Sequence, residues 1–400
     1  MSALGEVDAV LHPARSEGVR ESRPRRKLRL LLVQTQAENA GAQEISRLLS
    51  ERLGARGYDV HQLFFFRRTA SFDGVYQTVF AAEKRPSGPL QVALLFGRLV
   101  REMRQTKPDV VLTFQHYGNL LGAAAARLAR APAVIANQVS ATLTTPGWAR
   151  RMDRLVGAAG LFDRIVVNSS DAEQEFRAYS KRYRDRLVRI EHGFLDKTSA
   201  LTKGEARRLF GLPADCVLIG SVARLHALKN LEAAIRLLPH EERWHLTLAG
   251  QGEAEADLVD LALRLGCRER VHFLGELPSR AVGNFLAALD LFAFPSLAET
   301  FGLAAVEAAQ AGVPVVANDL EVLREVLAVE GEPCAAFADA SDPEAFLRQV
   351  RRVLRDPALA ATLVARGRRL KLRYSLDAMT DAYERLIQEV AAETRSYRTA

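Results

Sequence analysis

Cysteine is scarce in this 400-residue chain: Cys216, Cys267 and Cys334 stand far apart and share no metal-like spacing. A disulfide framework and a zinc site are therefore not expected, and a reducing cytoplasm is the compartment that fits. Long apolar runs are missing as well. No window reaches the roughly 20 apolar residues that a spanning helix needs. The first 27 residues, MSALGEVDAVLHPARSEGVRESRPRRK, hold no apolar core of signal-peptide length. The expected location is the cytosol, with 1–27 a disordered leader whose basic end, RPRRK, is a candidate contact for anionic lipid. Repeat arrays and low-complexity tracts are absent. No strand-like run is followed by a full G-x-G-x-x-G with an acidic residue at the proper distance, which speaks against NAD-dependent chemistry.

What is present reads as a two-domain globular chain. Apolar residues make up 48% and charged residues 26%, and the length exceeds what one ordinary core organises. The net charge of +7 is spread over many arginine-rich helical stretches, so nucleic acid is not an expected partner. Short β-branched or leucine-rich runs alternate with helical patterns: KLRLLLVQT, AQEISRLLSERLGARG, YDVHQLFFF, PDVVLTF, NLLGAAAARLARAP, AVIANQ. That alternation predicts parallel sheets covered by helices on both faces. RIVVNS and RLVRIEHG close a first series, and CVLIGSVARL opens a second that continues through WHLTLAG, RVHFLGE, LDLFAFPS and VPVVAND. The expected division is a first domain over 28–197, a second over 198–376 and a final helix over 377–394. Ligands are expected outside the carboxyl ends of the strands.

The segment from Phe294 to Asp319, FPSLAETFGLAAVEAAQAGVPVVAND, joins a buried strand to an acidic glycine turn. An apolar helix follows, whose first turn is expected to carry a second carboxylate. Glu299 and Glu307 flank Gly302, and the amides after Thr300, those of Phe301, Gly302 and Leu303, would be free at a helix N-terminus to bind phosphate oxygens. Carboxylates on either side suit sugar hydroxyls. The spacing resembles the E-x7-E signature of retaining glycosyltransferases of the GT-B type, family four, and the likeness continues through AGVPVVAND.

That resemblance implies two Rossmann-like domains facing a central cleft, with a C-terminal helix crossing back to the first. In GSVARLHALKN, Arg224 and Lys229 match an arginine and a lysine that contact the donor diphosphate in the family. Two such cations can neutralise the charge that develops as the glycosidic bond breaks. Gly250 and Gly252 of LTLAGQGE resemble the glycine pair beside the nucleotide, and VHFLGELP matches the segment whose backbone holds the base. By the same likeness Glu307 takes the ribose hydroxyls and Glu299 faces the transferred sugar. In the first domain Gly41 stands where relatives often have two glycines, whereas this chain has Ala40 before it. His116, in FQHYGN, stands near a family histidine beside the sugar, although its flanks differ.

The implied function is a metal-independent, retaining transfer of a hexose-type sugar from a nucleoside diphosphate sugar to a glycan or lipid-linked acceptor, in cell-surface polysaccharide or glycoconjugate synthesis. No cofactor is expected. A D-x-D for a divalent ion occurs nowhere in the chain. A sugar-nucleotide epimerase or hydrolase on the same fold, or a non-catalytic nucleotide-sugar-binding protein, are the alternatives. Two helices keep two readings each. SLDAMTDAYERLIQEVAAE is either the family's crossover helix or a covering helix, and PLQVALLFGRLVREMRQTK either packs one face in the core or also lies on anionic membrane.

Overall fold

A computed structural model describes residues 27–38, 41–75, 77–140 and 145–399. Apart from Lys27, the leader expected over 1–27 lies outside them, as does Ala40. The first sheet is formed by β1 (Arg29–Ala37), β2 (Asp59–Arg67), β3 (Thr78–Ala82), β4 (Val110–Phe114), β5 (Ala133–Asn137), β6 (Arg164–Val167) and β7 (Leu187–Arg189). It is parallel throughout, in the order β3-β2-β1-β4-β5-β6-β7. Its central strands are covered on both faces, so Leu30 to Val33 and all of β4 and β5 are buried. This is why they read as unbroken apolar runs rather than alternating ones.

The second sheet repeats the plan with β8 (Val217–Val222), β9 (Trp244–Ala249), β10 (Val271–Gly275), β11 (Leu291–Phe294) and β12 (Val315–Asn318). A small antiparallel hairpin of β13 (Ala328–Val329) and β14 (Glu332–Pro333) precedes the last strand, β15 (Ala336–Ala338). The order is β10-β9-β8-β11-β12-β15. In each sheet the first strand lies between neighbours reached by opposite crossovers, β1 between β2 and β4, β8 between β9 and β11. The loops leaving these strands therefore open into a crevice. Both edge strands β3 and β15 escape the apolar pattern read from the sequence, because they are short and partly solvated.

The helix Leu376–Thr399 packs on the first sheet: Leu376, Met379, Tyr383, Leu386, Ile387 and Val390 share one core with Leu30, Leu32, Val110 and Ile135. Tyr383 Oη donates to Asn137 Oδ1 at 2.7 Å. Of the two readings open for this segment, the structure shows the crossover. On the Pro89–Thr106 helix, Leu95, Leu99, Val100 and Met103 face the core, while Leu90 and Leu94 remain 74% and 57% exposed. No described helix is long and apolar enough to cross a membrane.

Candidate active site

The carboxyl ends of the two sheets face each other across a cleft of about 1600 Å³. Its wall on the second-domain side is built by three loops. After β8 the chain carries Arg224, then the short 3-10 turn Ala227–Lys229. After β9 come Gly250 and Gly252. A Cβ on Gly250 would lie 1.9 Å from the Ala223 carbonyl oxygen, and one on Gly252 2.2 Å from that of Leu225. Only glycine lets these two loops meet. After β11 the turn reaches Gly302, whose φ of 83° is left-handed and which caps the helix Leu303–Gln310.

That turn corrects one expectation. The helix begins at Leu303, so Glu307 lies in its second turn and the first turn carries no acid. Its carboxylate is one turn removed from the helix terminus and belongs to the cleft wall instead. The amides of Phe301, Gly302 and Leu303 make no hydrogen bond among the described residues. They are the open donors that a helix N-terminus offers to an anion. The Phe301 ring itself is core, tilted against His192 at 5.0 Å and edge-on to Tyr374 at 5.1 Å. Thr300 is anchored through its carbonyl, which accepts from Ser169 Oγ at 3.4 Å.

Glu299 and Lys229 meet: Nζ donates to Oε1 at 2.6 Å. Arg224 Nη1 lies 3.8 Å from Glu38 Oε1, a buried carboxylate at the end of β1 that also faces Arg68 Nε at 3.3 Å. Glu307 is 14% exposed and lies 3.8 Å from Lys197 Nζ. Burial, with a smaller push from Glu44, moves its carboxyl up to about 7 against the opposing pull of Lys197. Burial also moves His192 down to about 3.

From the first domain, Gly41 opens the helix Gly41–Ala55, and a Cβ there would meet Leu303 Cδ1 at 2.5 Å. The first helix thus touches the start of the helix after β11. His116 follows β4 in the cleft wall, its Nδ1 3.5 Å from Ser140 Oγ, and burial lowers its pKa. All of the expected site residues except the core side chain of Phe301 border one space. The sequence reading missed Lys197, Ser279, Glu44 and Glu38. The two glutamates flank Gly41 in the string QTQAENAGAQE, from which only Gly41 was singled out. Lys197 and Ser279 carry no local signal.

Two facing parallel sheets with a site at their carboxyl ends define the GT-B class. The description "Glycosyltransferase Family 4" matches residues 40–194 and "Glycosyl transferases group 1" residues 203–370, so the two together take in both domains. The chain belongs to the group 1 glycosyltransferases of family 4. It is 31% identical over 238 residues to D-inositol 3-phosphate glycosyltransferase of Mycolicibacterium smegmatis, covering 58% of this chain and 54% of that protein. It is 27% identical over 188 residues to the O-antigen biosynthesis glycosyltransferase WclY of Escherichia coli, covering 46% and 50%. The match thus spans about half the length of these curated relatives. Among solved structures, Anabaena HepE in complex with UDP and glucose shares the fold, with a TM-score of 0.77 at 20% identity over 90% of this chain and 100% of that one.

Proposed function

We propose that this chain is a retaining, metal-independent glycosyltransferase that moves a hexose-type sugar from a nucleoside diphosphate sugar to a glycan or lipid-linked acceptor held by the first domain. The observation that carries the reading is the convergence, in one cleft, of Arg224, Lys229 and the unbonded amides of Phe301 to Leu303 with the carboxylate of Glu299. The cations and amides suit a departing diphosphate, and preorganised donors of this kind are worth far more in a dry cleft than in water. Glu299 would orient the sugar as oxocarbenium character grows. The bond from the anomeric carbon to the phosphate oxygen breaks, that oxygen takes the proton of the acceptor hydroxyl, and the acceptor oxygen bonds to the same face of the sugar. Closure of the domains excludes water as a competing acceptor.

The O-antigen role in the name of WclY and the UDP and glucose held by HepE support a nucleotide-sugar donor and a surface-glycan product. Leu90, Leu94 and Trp148, apolar and exposed on the acceptor side, support peripheral association with anionic lipid at the cytoplasmic face. The test is nucleotide release from a panel of nucleoside diphosphate sugars with and without a chelator. Release of one diphosphate, unaffected by the chelator and raised by an acceptor glycan, is expected; release from none overturns the reading. Acceptor-independent release would favour a hydrolase.

A further inference from the structure

Lys197 lies in the connection between the two sheets, yet its side chain is only 6% exposed. Its ammonium is fixed from three directions. Nζ donates to the Ser279 carbonyl at 2.8 Å and to Ser279 Oγ at 2.6 Å, and stands 3.8 Å from Glu307 Oε1. Ser279 Oγ in turn donates to Glu44 Oε1 at 2.7 Å. Glu44 belongs to the first turn of the Gly41–Ala55 helix and is held by Arg47 Nη2 at 2.7 Å and Nε at 2.9 Å. A polar chain therefore runs from the donor helix through the connection to the first domain, and Glu307, Lys197, Ser279 and Glu44 all border the cleft.

A buried lysine held this way is costly unless its charge is used, because desolvation is repaid only by close, well-placed partners. Here two of its protons are spent on Ser279, which fixes where the third points. We propose that Lys197 is a positioning residue for the donor ribose: anchored by Ser279, it holds the Glu307 carboxylate aimed into the cleft to accept from the two ribose hydroxyls. The Ser279 bond to Glu44 makes this geometry depend on the first domain being seated. The inference rests on the nucleotide-sugar reading above and adds a residue that its motifs do not contain.

The experiment measures the Kd of UDP, GDP and ADP, and of their 2′-deoxy counterparts, by calorimetry on the full chain. For whichever diphosphate binds the wild type most tightly, Lys197→Met is expected to cut affinity for the ribonucleotide by about tenfold, the scale of one charge-assisted hydrogen bond. The 2′-deoxy form should be affected much less, so that the preference for ribose shrinks. Lys197→Arg should restore part of that preference. In a Glu307→Gln background Lys197→Met should change it no further. Ser279→Ala, which leaves the lysine in place, guards against a folding failure and should give a smaller loss in the same direction. An unchanged ribose preference in both Lys197→Met and Ser279→Ala overturns the inference while the donor reading stands. A wild type that binds none of the three diphosphates overturns the donor reading and this inference with it.

Discussion

Lys229 Nζ donates to Glu299 Oε1 at 2.6 Å, so the cation we propose for a donor diphosphate is paired with the carboxylate we propose for its sugar. On that proposal, donor binding exchanges this partner for phosphate oxygens. Glu299→Gln would free the lysine and, on the same proposal, remove the sugar contact. It is expected to tighten nucleoside diphosphate binding a few-fold while lowering kcat by about a hundredfold. Arg224→Ala should lower kcat by a similar factor and weaken the diphosphate as well. Steady-state kinetics beside equilibrium binding separate the two cases, and unchanged transfer by folded Arg224→Ala would remove that residue from the mechanism.

Two glycines of the cleft should fail in different ways. The Cβ of Gly250→Ala would meet a carbonyl oxygen of the backbone at 1.9 Å, which no rotamer relieves. A loss of about 3 kcal/mol or more in urea unfolding is expected. In Gly41→Ala the obstacle is the tip of Leu303, which can rotate away. Stability should stay within about 0.5 kcal/mol, with turnover reduced because the domains seat less closely. Equal destabilisation of the two variants would contradict this contrast.

Protons act on the fold through two buried groups of opposite sign. Glu307, moved up to about 7, keeps its proton in the folded chain where the unfolded chain has released it, so its contribution to stability falls as pH rises from about 4.5 to 7. His192, moved down to about 3, stays neutral where the unfolded chain is protonated, so stability falls as pH drops below about 6.5. Between about pH 5 and 6.5 the two oppose each other. Glu307→Gln removes the first, and its Tm should fall more steeply than the wild type's as pH is lowered through that window. Parallel Tm curves would show that Glu307 does not titrate there.

Trp148 is 55% exposed on the Gly147–Ala159 helix beside Met152, with Arg150, Arg151 and Arg154 on the same helix. The other tryptophan, Trp244, is buried. Vesicles rich in anionic lipid are expected to shift tryptophan emission to the blue, salt should reverse the shift, and Trp148→Phe should abolish it. No shift at low salt would count against membrane association.

The strands that position the site were legible because a strand buried on both faces demands an unbroken apolar run, as in LLLV of β1 and LFAF of β11. Glu299, Arg224 and Lys229 were legible as candidates because each stands in a short string, FPSLAETFGLAAVE or GSVARLHALKN, that resembles a family motif. Lys197 was not. Its partner Ser279 lies 82 residues along the chain, and nothing local distinguishes a lysine that will be buried from one that will be solvated. Glu307 was found but assigned to the first turn, although a helix that starts after Gly302 puts its fifth residue, Glu307, in the second.

The helix Leu376–Thr399 completes the core of a sheet whose strands end at Arg189. During synthesis the ribosome must deliver all of β8 to β15 before that wall can be laid. Until then Leu30, Leu32, Val110 and Ile135 lack the apolar cover that Met379, Tyr383 and Ile387 provide. The half of the protein made first is thus the last to be finished, the reverse of vectorial order. Arrested nascent chains ending before Leu376 should stay protease-sensitive in the first sheet while the second resists.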